Sequence, residues 1–273
     1  MIEFIGTDLD GTLLNSYSKI SNNNVQAIRD AVNSGISFAI CSGRTLHSVN
    51  KFFEKDLKIA GYRVVLNGAV VVDPKGKRIV DRPLDHKVIR EILKRSEFSN
   101  FKVVLDGLND TYVYDPNHHW TTYFEGMSRH HFKASSVSDL AKLNDKGDFD
   151  IYKVSFSCHQ NRLHELQKKL ESFTALPITI SRSGSTYFEI NGQDVTKLSA
   201  LQRISELSGI PMIHFMCFGD YGNDLEMVKE AGYGVAMDNA IEKVKDVAWK
   251  TTDTNNQDGV ANMIQRVLNK EFD

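Results

Sequence analysis

The opening third of the chain alternates short apolar runs with amphipathic helical stretches, and this alternation leaves few folds open. Residues 2–8 read as a strand. Ser21 then caps a helix with Val25, Ile28, Ala31 and Val32 on one face, and Gly35 closes it. Residues 36–41 read as a second strand, a helix follows to about residue 55, and residues 64–66 read as a third strand. A strand–helix–strand–helix–strand order builds a parallel sheet with right-handed crossovers. Residues 70–73 and 77–81, joined by Pro74-Lys75-Gly76, predict a small hairpin.

The rhythm stops after about Pro83. A helix over 85–96, strands near 101–105 and 111–114, a strand over 150–157, a helix over 163–173 and strands at 178–180 and 186–190 predict a separate α+β module with antiparallel strands. Between them, sequence rich in aromatics and in His118, His119, His130 and His131 reads as irregular. The first rhythm then returns. Asp194 is expected to cap a helix running to about Leu207, residues 213–218 form a strand ending in Gly219-Asp220, a helix covers 225–231 and a short strand 233–236. The predicted fold class is α/β: a doubly wound parallel, Rossmann-like core with an inserted α+β module. The core occupies 1–83 and 188–273, and the insertion 84–187.

Strand ends are where sites form in such sheets, and the polar residues gather there. Asp8 and Asp10 follow the first strand, Ser42-Gly43 the second, Asn67-Gly68 the third, and Asp220, Asn223 and Asp224 the strand at 213–218. Two carboxylates two positions apart raise each other's pKa and cost folding energy. A bound cation relieves that cost. Several carboxylates in one crevice, without cysteines, make an oxygen-rich site for a hard dication. Ser42, the Gly43 amide and a lysine are suited to hold a phosphate beside it.

Composition excludes other classes. With 33 basic and 35 acidic residues the net charge is −2, so nothing draws the whole chain to nucleic acid or an acidic membrane surface. No apolar stretch approaches the ~20 residues of a membrane span. The 3 cysteines, Cys41, Cys158 and Cys217, are too scattered for a disulfide framework or zinc knuckle, which points to a reducing, cytoplasmic setting. Residues 1–15 lack the basic start of a signal peptide.

Four segments in order, TDLDGTLL, CSGRT, DVTKLSAL and GDYGNDLEM, resemble the four motifs of the haloacid dehalogenase superfamily of phosphatases. NGA at 67–69, AMDNA at 236–240 and DGVA at 258–261 resemble its Cof-like subgroup, which carries a large α/β cap where the insertion falls. The resemblance implies roles. Asp8 looks like a nucleophile that forms an aspartyl-phosphate. Asp10 looks like the general acid, later the base that activates water. Magnesium (Mg2+) is expected on Asp8, the backbone carbonyl of Asp10, and Asp220. Ser42, Gly43, Lys197 and Asn223 are expected to bind the phosphate, with Thr12 and Asp224 supporting them. Leu198 stands after the lysine, and Asp238 in the AMDNA segment, where relatives usually carry glycine.

The implied activity is magnesium-dependent hydrolysis of a small phosphomonoester, a sugar phosphate first, pyridoxal phosphate or flavin mononucleotide next. The rival readings are a phosphomutase and, in a different class, a non-catalytic phosphate sensor. The expected partner is a small phosphorylated metabolite, and the expected assembly a monomer or weak homodimer. Arg44 reads as a structural ion-pair partner, the four cap histidines as surface or packing residues, and Cys41 as a packed thiol.

Overall fold

The computed structural model describes residues 1–94, 98–117 and 128–272. The first strand, β1 (Phe4–Thr7), is buried throughout. α1 (Asn22–Asn33) follows, capped by the Ser21 side chain, which accepts from the Asn24 amide. The chain continues through β2 (Ser37–Cys41), α2 (Leu46–Lys51), β3 (Tyr62–Val65), β4 (Val70–Val72) and β5 (Arg78–Asp81). It then leaves the first rhythm for α3 (His86–Leu93), β6 (Lys102–Gly107), β7 (Asp110–Tyr114), β8 (His130–Ala134), α4 (Val137–Lys146), β9 (Ile151–Ser157), α5 (Leu163–Glu171), β10 (Ile178–Arg182) and β11 (Tyr187–Gly192). The return brings α6 (Lys197–Ser208), β12 (Phe215–Gly219), α7 (Leu225–Glu230), β13 (Tyr233–Met237), α8 (Glu242–Lys245), β14 (Lys250–Thr252) and α9 (Gly259–Leu268).

Two sheets result. The larger has the order β14-β13-β12-β1-β2-β3-β4-β5, parallel from β14 to β3 and closed by the antiparallel β4–β5 pair. The smaller has the order β10-β11-β9-β6-β7-β8. Each sheet has its own apolar core. Phe4 and Phe215 stack at 4.1 Å between ring centroids in the first, and Phe98 packs on Phe156 and Phe173 in the second. The fold is α/β with an α+β insertion, as the alternation of elements predicts.

Details differ from the sequence reading. Residues 130–134 form β8 rather than irregular chain, and β8 pairs with β7 in parallel, not antiparallel. β8 is an edge strand with no buried residue, so it shows no apolar alternation to read. α4 was not anticipated. α6 starts at Lys197, capped by Thr196 in a reciprocal box with Ser199, so Asp194 is not the cap; Asp194 sits at φ 58 in the approach. The sequence reading ends the insertion at residue 187, but β11 pairs with β9 and β10 and carries the smaller sheet on to Gly192. His118, His119, Trp120 and the end of the helix expected over 85–96 lie outside the described residues. No helix among the described residues is long and apolar enough to cross a membrane.

Candidate active site

β1 lies between β2 and β12. From it the chain winds outward in both directions, so a crevice opens at its carboxyl end. Asp8 sits there, one residue past the strand and buried, its amide donating to the Phe218 carbonyl. Ser42 follows β2 and Asp220 follows β12 in the same way, so three strand ends converge.

Beneath the crevice the charges are fully engaged. Lys197, with no exposed surface, donates to Asp8 Oδ1 at 2.5 Å and to Asp224 Oδ1 at 2.6 Å. Asp224 Oδ2 accepts the amides of Asp220 and Tyr221. Thr12 donates its hydroxyl to Asp220 Oδ1 at 2.9 Å. Burial pushes the Asp8 carboxyl well up; Lys197 opposes this, while Asp224, Asp220 and Asp10 add to it. Burial, then the charge of Asp224, raises Asp220 to about 7. Burial alone would lower the Lys197 ammonium, but Asp224 and Asp8 outweigh it and keep it protonated.

Carboxylate oxygens of Asp8, Asp220 and Asp224 lie within 4.8 Å of one another. Both Asp224 oxygens are taken by Lys197 and the two amides, which leaves Asp8 and Asp220 as the side chains able to offer oxygen to a cation. Acids crowded enough to raise each other's pKa, in an all-oxygen donor set, fit a hard dication. Gly11, at φ +83, keeps this approach open. A Cβ there would fall 2.3 Å from Asp220 Oδ2.

Above lies one cavity. Asp8, Asp10, Ser42, Gly43 and Asn223 of the larger sheet face Val104, Asp106, Thr111, Lys153, Ser155, Ser183, Tyr187 and Glu189 of the smaller one across it. Asp10 is gripped by Arg44, the ion pair expected of that arginine. Asn223 donates to Asn67 Oδ1 at 3.2 Å, and Asn67 donates to Glu189 Oε2 at 2.8 Å. Thus Asp8, Asp10, Ser42, Gly43 and Asn223 line the cavity, whereas Lys197 meets it through Asp8. His130 is a surface residue paired with Asp110, and Cys41 is packed in the core.

Sequence reasoning missed Lys153, Asp106 and Glu189. In β9, Lys153, Ser155 and Ser157 alternate with Tyr152, Val154 and Phe156, a pattern that reads in the sequence as a solvated face, whereas the structure buries the whole strand.

The family profile described as haloacid dehalogenase-like hydrolase matches residues 5–264. The 5-amino-6-(5-phospho-D-ribitylamino)uracil phosphatase YcsE of Bacillus subtilis is 33% identical over 97% of this chain and 95% of its own. The phosphatase YwpJ of the same organism is 30% identical over 98% of this chain and 100% of its own. A solved haloacid dehalogenase-like hydrolase from B. subtilis superposes with a TM-score of 0.85 at 28% identity, covering 97% of this chain and 100% of that one. The chain belongs to the haloacid dehalogenase-like hydrolases. It is an enzyme, a phosphatase of that family.

Proposed function

We propose that the chain hydrolyses a phosphomonoester of a small polyhydroxylated metabolite, with Asp8 as nucleophile. The observation that carries this is the placement of Asp8: a buried carboxylate held by Lys197 at the floor of a cavity whose rim carries Asp10 two residues on. A sugar phosphate fits the reading. So does a phosphoribityl compound, which the name of the relative YcsE supports.

An Asp8 oxygen attacks phosphorus in line. The new P–O bond forms as the bond to the leaving oxygen breaks, and Asp10 gives that oxygen its proton. Asp10, now a carboxylate, takes a proton from water. The resulting hydroxide attacks phosphorus, which releases inorganic phosphate and restores Asp8. Ser42 and Gly43 hold the phosphoryl oxygens, Asn223 borders them, and Lys197 works against the burial that favours a protonated Asp8. Asp224 orients Lys197 and the Asp220–Tyr221 turn. Asp8, Asp220 and the Asp10 carbonyl would hold magnesium, which supplies positive charge against an anionic ester. The smaller sheet serves as a cap that excludes water from the reaction.

The test is hydrolysis of a panel of phosphorylated metabolites with magnesium, for the native chain and for Asp8→Asn. Phosphate release that falls by at least about a hundredfold in the variant supports the nucleophile. Release that persists in Asp8→Asn removes it, and isomerised product without free phosphate would favour the mutase.

A further inference from the structure

We propose that Lys153, although it belongs to the inserted sheet, is a positioning residue for phosphoryl transfer that sets the Gly43–Arg44 peptide and through it the Ser42 hydroxyl. The inference rests on the phosphatase reading above. An ammonium has three donors and no acceptor. Lys153 donates to the Gly43 carbonyl at 2.7 Å and to Glu189 Oε1 at 2.6 Å, and Asp106 Oδ2 stands 3.3 Å away as a second counter-charge. Lys153 borders the cavity, but these partners hold it on the Gly43 peptide.

What it holds is one peptide plane with three tasks. The Gly43 carbonyl points at Lys153. The Arg44 amide, on the other side of the same bond, donates to Ser42 Oγ at 3.2 Å. The Arg44 side chain grips Asp10. Because the peptide is planar, fixing the carbonyl fixes the amide. With its oxygen already accepting, the Ser42 hydroxyl is turned to donate its own proton elsewhere, and the cavity that Ser42 lines is where a phosphoryl oxygen arrives.

Lys153 is itself held rigidly. Glu189 is shared with Asn67. Asp106 is fixed by the Thr111 hydroxyl at 2.9 Å and lies opposite Lys153 in the β6–β9 register. The cap therefore enters the chemistry through the backbone of the phosphate loop, not only by covering it.

The experiment measures kcat/KM of Lys153→Met for p-nitrophenyl phosphate and two metabolite esters, with the inhibition constant of inorganic phosphate, in the Ser42 and Ser42→Ala backgrounds. Since Lys153→Met strands two buried carboxylates, a second variant adds Asp106→Asn and Glu189→Gln to remove all three charges together. The expected result is a loss of about ten- to a hundredfold, the scale of one charge-assisted hydrogen bond. It should be the same factor for every ester, with weaker phosphate inhibition, and should largely vanish when Ser42 is already alanine. A loss confined to particular leaving groups would overturn the proposal, as would a loss that adds fully to that of Ser42→Ala. Lower thermal stability with unchanged kinetics of the folded enzyme would overturn it too. Failure of the phosphatase reading itself shows separately, as a native chain that releases no phosphate.

Discussion

Asp10 offers both of its carboxylate oxygens to a single guanidinium: Arg44 Nε donates to Oδ2 at 2.7 Å and Nη2 to Oδ1 at 2.5 Å. A carboxyl that hands a proton to a leaving oxygen needs one oxygen free of donors. In the acid role proposed for Asp10, the fork opens on one side as substrate enters. The Asp10 side chain is 40% exposed and that of Arg44 10%, so the aspartate is the partner with room to turn.

Asp10→Asn should cut turnover most for esters with poor leaving groups. An alkoxide needs the proton, and p-nitrophenolate hardly does. The expected loss for an alkyl phosphate is ~10²–10⁴-fold, the usual worth of general acid catalysis. Comparing kcat on both substrate types checks this, and equal losses would take the acid role away from Asp10.

Lys197→Met should destabilise the protein even where catalysis is not measured. The ammonium is fully buried between Asp8 and Asp224, and its loss leaves two carboxylates without a counter-charge. Breaking a buried pair from one side costs about 3–5 kcal/mol. Denaturant unfolding of the metal-free protein reads this directly. Adding Asp8→Asn to Lys197→Met should recover part of the loss, and failure to recover any would mean the pair is not the cause.

The metal response should depend on pH with a definite sign. In the folded chain Asp220 is raised to about 7 from its ordinary 3.8, by burial first and Asp224 second, and Asp8 is shifted the same way. A carboxyl that keeps its proton only when folded makes metal-free stability fall as pH rises from about 4 to 7. Magnesium needs the deprotonated form. Its thermal stabilisation should be small at about pH 5.5 and grow through neutrality to a plateau at about pH 8. Melting curves with magnesium or chelator test this, and a pH-independent shift would contradict it.

Gly11→Ala should damage metal affinity rather than folding of the sheet. The added methyl meets Asp220 Oδ2 at 2.3 Å, at a φ of +83 that alanine resists. Asp220 must swing aside and give up the Thr12 hydrogen bond. The magnesium concentration for half-maximal activity should rise at least about tenfold, the usual cost of disturbing the groups that orient a ligand.

The core-sheet half of the candidate site was legible because it is local. β1, β2 and β12 are buried almost throughout, so they read as short, mainly apolar runs. Asp8, Ser42 and Asp220 each stand one residue beyond such a run. The cap half was not legible for the opposite reason. Lys153, Asp106 and Glu189 lie inside strands at alternate positions, where polar side chains normally mean water. Only the register shows otherwise, by setting Asp106 opposite Lys153 and Glu189 opposite Ser155. β8 and α4 escaped because one is a largely exposed edge strand and the other follows a stretch with no periodic signal.

The pairing of β1 with β12 also sets a timetable for synthesis. Phe4 waits for Phe215, and Asp8 for Lys197 and Asp220. At about 5–20 residues per second, the wait on the ribosome is roughly ten to forty seconds. The smaller sheet is complete at Gly192, before either partner has been made. A nascent chain that has reached Gly192 thus contains every strand of the smaller sheet while β1 still lacks its β12 neighbour, and a chain that stalls before Asp220 leaves Asp8 without its third strand end.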